Sequence, residues 1–210
     1  MTGLFITFEG GDGVGKTTQI ELLKTAIHAV DSEREIVVTR EPGGTEIGVE
    51  IRNLLLHWRG YLAPKAEALL YAADRAHHIE TVVRPALARG AVVLQDRYFD
   101  SSFAYQGAGR TLGVEEIRGF NLWATGNLFP EFTFLLDMDA ESAMHRSAAR
   151  EGEFDRFHEE KQVFHDRVRE EFLALAEAEP ARFTVLDASL PAEEIHQQVR
   201  ERLSHTLPLG

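Results

Sequence analysis

The chain has 210 residues, 44% of them hydrophobic, enough to bury one sizeable core without a metal or disulfide staple. It contains no cysteine, which excludes disulfide frameworks, thiolate zinc sites and thiol nucleophiles and points to a reducing, cytoplasmic compartment. A formal net charge of −12 argues against a nucleic-acid partner, because polymer binding shows as a basic domain or stripe; any phosphate bound here is expected to be small.

The first element, LFITFE at 4–9, is an apolar run too short for the core of a secretory signal, and it leads straight into a glycine-rich loop. No later stretch approaches the roughly 20 apolar residues that cross a bilayer, so no membrane partner is expected. Ile20, Leu23, Ile27 and Val30 then recur at helical spacing. EIVVTR (35–40), AVVLQD (91–96), FTFLLD (132–137) and RFTVLD (182–187) repeat the continuous apolar pattern of strands covered on both faces. Helical spacing returns between and after them, as at Ile195, Val199 and Leu203. This alternation predicts an α/β fold, one domain over 1–210, with a parallel sheet. His77 and His78 are neighbours that cannot share a helix face, so they are expected at the surface rather than in a zinc site. RSAAREGEFDRF at 146–157 reads as an exposed connection between two helices. EEFLALAEAEP at 170–180 reads as a solvated helix face that stops before Pro180.

Glu9, Arg40, Asp96 and Asp137 end four of the five strands, and in open parallel sheets ligands gather outside those carboxyl ends. The loop after the first strand matches G-x-x-x-x-G-K-[ST] with Gly10, Gly15, Lys16 and Thr17. A phosphate chain needs converging backbone N–H groups that side chains would block, hence glycine at the turning positions. Gly10, Gly11, Asp12, Gly13, Val14, Gly15, Lys16, Thr17 and Thr18 are therefore the expected triphosphate-binding residues. Lys16 is expected to reach the terminal phosphates and Thr17 to ligate magnesium, with the positive end of the next helix facing the anion. Asp96 ends its strand as a Walker-B-like carboxylate would, able to hold magnesium directly or through Thr17 and water; a capping aspartate is the plainer reading. The chain has no Asn-Lys-x-Asp guanine reader and no lysine opening the loop, which leaves small-molecule phosphoryl transfer, or a non-catalytic nucleotide-binding switch.

Five motifs stand in register along almost the whole chain: FEGGDGVGKTTQ (8–19), TREPGGT (39–45), LLYAADRAHHI (69–79), DRYFDSSFAYQG (96–107) and GEFDR (152–156). In that order and spacing the sequence resembles the thymidylate kinases, nucleoside-monophosphate kinases of the P-loop NTPase fold. The resemblance implies a five-stranded parallel sheet with helices on both faces and a short lid, a homodimer, and in-line, Mg2+-dependent transfer of the ATP γ-phosphoryl group to dTMP. Another nucleoside monophosphate or a deoxynucleoside is the nearest alternative acceptor.

The resemblance also implies roles for individual side chains. Arg40 and Arg97 grip the acceptor phosphate, and a dianionic acceptor does need fixed cations that do not deprotonate. Asp12 meets the acceptor sugar's 3′-hydroxyl or the metal shell; a solvated loop carboxylate is the alternative. Tyr71 and Arg75, four apart and so on one helix face, stack on thymine and donate to a base carbonyl. Many relatives carry phenylalanine where Tyr71 stands, and plain helix packing is its other reading. Tyr105 crowds the sugar's 2′ carbon against a ribo hydroxyl, and Ser102 and Gln106 are further candidates for the base edge. Some relatives place an arginine where this chain has Gly13, so the missing positive charge is expected from the lid at about 146–157. Arg150 is favoured there, with Arg156 second and Arg146 nearer the adenine or a surface carboxylate.

Overall fold

The structure is a computed structural model that describes residues 3–148, 157 and 160–209. The chain alternates strands and helices: β1 (Leu4–Gly10), α1 (Lys16–Val30), β2 (Ile36–Arg40), α2 (Glu46–His57), α3 (Pro64–His78), α4 (Arg84–Ala88) and β3 (Val92–Asp96). There follow α5 (Phe99–Ser102), α6 (Val114–Thr125), β4 (Phe132–Asp137), α7 (Ala140–Ala148), α8 (Gln162–Ala178), β5 (Phe183–Asp187) and α9 (Ala192–Leu203). Two stretches, Ile79–Val83 and Phe103–Gly109, wind as π-helix. Among the described residues five strands form one all-parallel sheet in the order β2-β3-β1-β4-β5, the α/β architecture of a P-loop NTPase.

Alternation within β1 divides the core. Phe5 joins Val93 and Leu135 on one face, where Ile117 of α6 and Val168 and Phe172 of α8 cover them. Leu4, Ile6 and Phe8 join Leu94 and Phe134 on the other, under Ile20 and Leu23 of α1 and Ile195 and Val199 of α9. β1, β3 and β4 are thus covered on both faces, as their continuous apolar runs imply. The same pattern misleads at β2 and β5, which lie at the sheet edges and leave Val38 and Val185 exposed. Of the helically spaced apolar residues of α1, Ile20, Leu23 and Ile27 are buried, whereas Val30 ends the helix in solvent.

Two further expectations are corrected. His77 is exposed but His78 is fully buried: consecutive residues lie about 100° apart on a helix, so the one turns out as the other turns in. The segment 146–157 is not one exposed connection, since Arg146 still belongs to α7 and Phe157 is buried in the core. Arg150 and Arg156 lie outside the described residues. α8 ends before Pro180, as expected.

One ion pair ties the edge of the sheet to the layer above it. Arg182, just before β5, meets both carboxylate oxygens of buried Asp100 at 2.8 Å and donates to the Thr133 hydroxyl at 2.9 Å. Removing one partner of such a pair strands a desolvated charge. Arg182→Met is expected to lower unfolding free energy by about 3–5 kcal/mol, read as a drop in urea midpoint. An unchanged midpoint would show that Asp100 is no charge the fold needs answered.

Candidate active site

β1 delivers the chain into the loop at Gly10, whose φ is +127°; a Cβ there would stand 2.3 Å from the Leu136 carbonyl oxygen. Gly15, at φ +104°, turns the chain into α1, so Lys16 and Thr17 fall in its first turn. Lys16 folds over the loop and donates to the carbonyls of Gly10 and Gly11 at 3.3 and 2.6 Å. Burial, seconded by Arg97, pulls its pKa below the usual lysine range. The Thr17 hydroxyl donates to Asp96 Oδ2 at 3.3 Å across the β1–β3 boundary. A hydroxyl beside a carboxylate is a pair of hard oxygen donors, a fit for a magnesium ion that keeps its waters and is otherwise held by phosphate. On the far side of the loop, Arg146 donates to the Ala188 carbonyl at 2.8 Å. There it borders an open depression with Gly13, Gly15, Thr18, Ser189 and Pro191.

The second half of the site begins where β3 ends. Arg97 has a left-handed backbone, φ 65°, unusual for a residue with a side chain. It is held in that shape by its N–H on the Phe8 carbonyl at 3.0 Å and by the Gln95 side chain on its own carbonyl at 2.9 Å. Its guanidinium then reaches Asp12 Oδ1 at 2.7 Å, Ser101 at 3.0 Å and the Tyr105 hydroxyl at 3.3 Å. Asp12 therefore has a partner 85 positions away that local sequence does not reveal.

Behind that pair lies a cleft bordered by Asp12, Glu41, Arg52, Tyr71, Arg75, Arg97, Ser102, Tyr105 and Gln106. The π-helical stretch Phe103–Gly109 supplies Tyr105 and Gln106, a conformation often found at functional sites. Arg75 is fully buried, and four of its five N–H groups are engaged. Nε meets Glu41 at 2.6 Å, Nη1 meets Ser102 at 3.0 Å and also Asn121, and Nη2 meets the Tyr98 carbonyl at 3.1 Å. His78 supports this set through Glu41 at 2.8 Å and bonds the Thr39 hydroxyl at 2.6 Å.

Among the described residues, those singled out from sequence converge on the loop and this cleft, with one exception. Arg40 ends β2 exposed, its Cα opposite Asp96, and does not border the cleft. Arg52 does, from α2, with Nη1 on the Pro42 carbonyl at 3.0 Å. Sequence reading passed over Arg52 because a lone arginine on an amphipathic helix looks like any surface arginine. It passed over Glu41, in the TREPGGT string, because a loop carboxylate announces no burial.

The family model described as thymidylate kinase matches residues 8–199. The chain is 60% identical over 210 residues to the thymidylate kinase of Clavibacter michiganensis subsp. michiganensis, covering all of this chain and 99% of that one. It is 44% identical over 209 residues to the thymidylate kinase of Halothermothrix orenii, covering 99% of each chain. The crystal structure of thymidylate kinase from Ehrlichia chaffeensis superposes with a TM-score of 0.78 at 32% identity, over 97% of this chain and 99% of that one.

Beneath Arg97 sits Glu9, fully buried, accepting from the Tyr98 N–H at 2.7 Å and the Ser101 hydroxyl at 2.5 Å. Burial, with the nearby Asp100 charge adding to it, pushes its carboxyl up from 4.5 to about 7. The native state thus holds this proton more tightly than the unfolded chain does. Glu9 costs stability progressively as pH rises from about 4.5 to about 7, and the full cost is present above that window. A glutamine keeps an acceptor for Tyr98 and can donate to Ser101. Glu9→Gln is expected to melt several degrees above the parent at pH 8, with the gap closing below pH 5. Melting curves that stay parallel across that range would place the ionised carboxylate in a solvated setting.

Proposed function

The chain belongs to the thymidylate kinase family and catalyses ATP-dependent phosphorylation of dTMP to dTDP; we propose that transfer runs in line between a donor on residues 10–18 and an acceptor in the cleft beside Arg97. The observation that carries this reading is the 2.7 Å Arg97–Asp12 pair, which has the phosphate loop on one side and the cleft on the other. Lys16 would exchange its loop carbonyls for the donor's terminal phosphates, and the low pKa that burial gives it recovers once those anions arrive. Thr17 and Asp96 would hold magnesium, which when bound screens the donor phosphates. Arg97 and Arg52 grip the acceptor phosphate, while Arg40 adds positive charge at the strand ends from outside the cleft. Asp12 meets the acceptor's 3′-hydroxyl or the metal's waters.

Tyr71 stacks on thymine, and Arg75, Ser102 and Gln106 meet the base edge. Tyr105 crowds the 2′ position and so favours deoxyribose. Arg146 reads the adenine side, which its place beside Gly13 and Thr18 supports. Arg150 and Arg156 supply the charge on the transferring group that Gly13 cannot. Residues 1–210 act as one kinase domain with its lid at 146–157. The neighbouring helices α2, α3 and α6 expose Ile47, Leu54, Leu69 and Trp123, an apolar surface suited to a second copy of the chain, and we assign a homodimer to it. No described helix is long and apolar enough to cross a membrane. A net charge of −12 and the lack of cysteine support a cytoplasmic enzyme that does not bind nucleic acid.

A coupled ADP-release assay with calorimetry for dTMP tests these roles. Lys16→Ala is expected to lower kcat by a factor on the order of 10²–10³ with dTMP affinity almost intact, since the lysine serves only the donor. dTMP affinity lost in step with activity contradicts that division. Arg97→Ala is expected to raise the dTMP KM and also cut kcat by about 10², because a misplaced acceptor oxygen loses orientation as well as binding. An unchanged KM would leave Arg97 as a brace for Asp12 alone.

A further inference from the structure

Glu67 lies one turn before Tyr71 on α3 and is fully buried. Its Oε1 accepts from Gln106 Nε2 at 2.9 Å, and its two oxygens take Arg110 Nε and Nη2, each at 3.2 Å. Arg110 is itself fixed on its other side, where Nη1 pairs with Glu160 and the guanidinium lies 5.3 and 5.0 Å from the Phe157 and Phe164 ring centres. A carboxylate that answers a guanidinium can only accept hydrogen bonds. Gln106 must therefore turn its nitrogen toward Glu67, and its carbonyl oxygen away.

Gln106 also borders the acceptor cleft. With one N–H spent on Glu67, its amide keeps one acceptor and one N–H. That pair complements an imide edge, where ring N3–H donates and a flanking carbonyl accepts, as in thymine. It opposes cytosine, where ring N3 accepts and the exocyclic amine donates. An unrestrained amide could flip and present the reverse pattern at almost no energetic cost. We propose that Glu67 is a positioning residue that fixes the donor–acceptor polarity of Gln106 and thereby selects an imide base in the acceptor site. The proposal rests on the reading above that Gln106 meets the base edge.

Calorimetric titration of dTMP, dCMP and N3-methyl-dTMP into the full-length protein tests it. The parent is expected to bind dTMP on the order of 10-fold or more tighter than N3-methyl-dTMP, because methylation removes the proton that the Gln106 oxygen accepts. In Glu67→Gln, Arg110 still claims the new side-chain oxygen but the polarity imposed on Gln106 is lost. The dTMP-to-dCMP affinity ratio should fall by about 10-fold or more, through both weaker dTMP and stronger dCMP binding. A merely structural Glu67 would weaken both nucleotides together and leave the ratio unchanged, which overturns the proposal. Equal binding of dTMP and N3-methyl-dTMP by the parent overturns it without any variant, should Glu67→Gln fail to fold. No dTMP binding at all would sink the acceptor-site reading first, and this inference with it.

Discussion

A phosphate loop that carries its own carboxylate must have a cation set against it, or that carboxylate repels the ligand the loop attracts. Here the cation is Arg97, 2.7 Å from Asp12. Its position follows from the sheet: β1 and β3 pair in parallel with Phe8 opposite Asp96, so the chain leaves both strands at the same level. The left-handed turn at Arg97 then throws its side chain back across the loop instead of into solvent. Glu9 lies beneath, and by holding its proton toward neutral pH it leaves more of the arginine's charge for the site above. The phosphate loop, the cleft and the charge between them thus depend on one strained residue at one strand end.

The cleft beside Arg97 is organised by one side of α3. Glu67, Tyr71, Asp74 and His78 recur at spacings of four, three and four, with Arg75 beside Asp74 and four after Tyr71, and of these five only Tyr71 is not fully buried. A helix that buries charge is costly unless each group is answered, and most are: Glu67 by Gln106 and Arg110, Arg75 by Glu41, Ser102 and Asn121, His78 by Glu41 and Thr39. Asp74 is the strained member. One of its oxygens has no hydrogen-bond partner among the described residues, and burial, with the Glu41 charge behind it, pushes its carboxyl up to about 6. Such a network leaves few alternative rotamers, so the groups that border the cleft are fixed before any ligand arrives.

What could be read from sequence was what local chemistry dictates. The loop from Gly10 to Thr17 was legible because its glycines, lysine and hydroxyl act within one turn of each other, and the central strands because unbroken apolar runs mean cover on both faces. Edge position was not legible in β2 or β5, since a run such as IVVTR does not state how many neighbours it will have. His78 read as a surface residue because its burial is decided by Glu41 and Thr39, brought in from β2 and the turn after it. Arg40 drew attention at a strand end, whereas Arg52, which does reach the cleft, sits on a helix whose pattern gives no hint of it. Motif resemblance pointed to Tyr71, Arg75, Arg97, Ser102, Tyr105 and Gln106, which the fold does bring to one cleft, because a motif stores neighbours made in three dimensions.

The central claim, that one ion pair separates and serves the two nucleotide sites, is most directly tested by a crystal structure with dTMP and a non-hydrolysable ATP analogue bound together. The account predicts the dTMP phosphate within about 3 Å of the Arg97 guanidinium, thymine between Tyr71 and Gln106, and the analogue's terminal phosphates on Lys16. A dTMP phosphate seated on Arg40 with the cleft beside Arg97 empty, or both nucleotides on the same side of the Asp12–Arg97 pair, would contradict it.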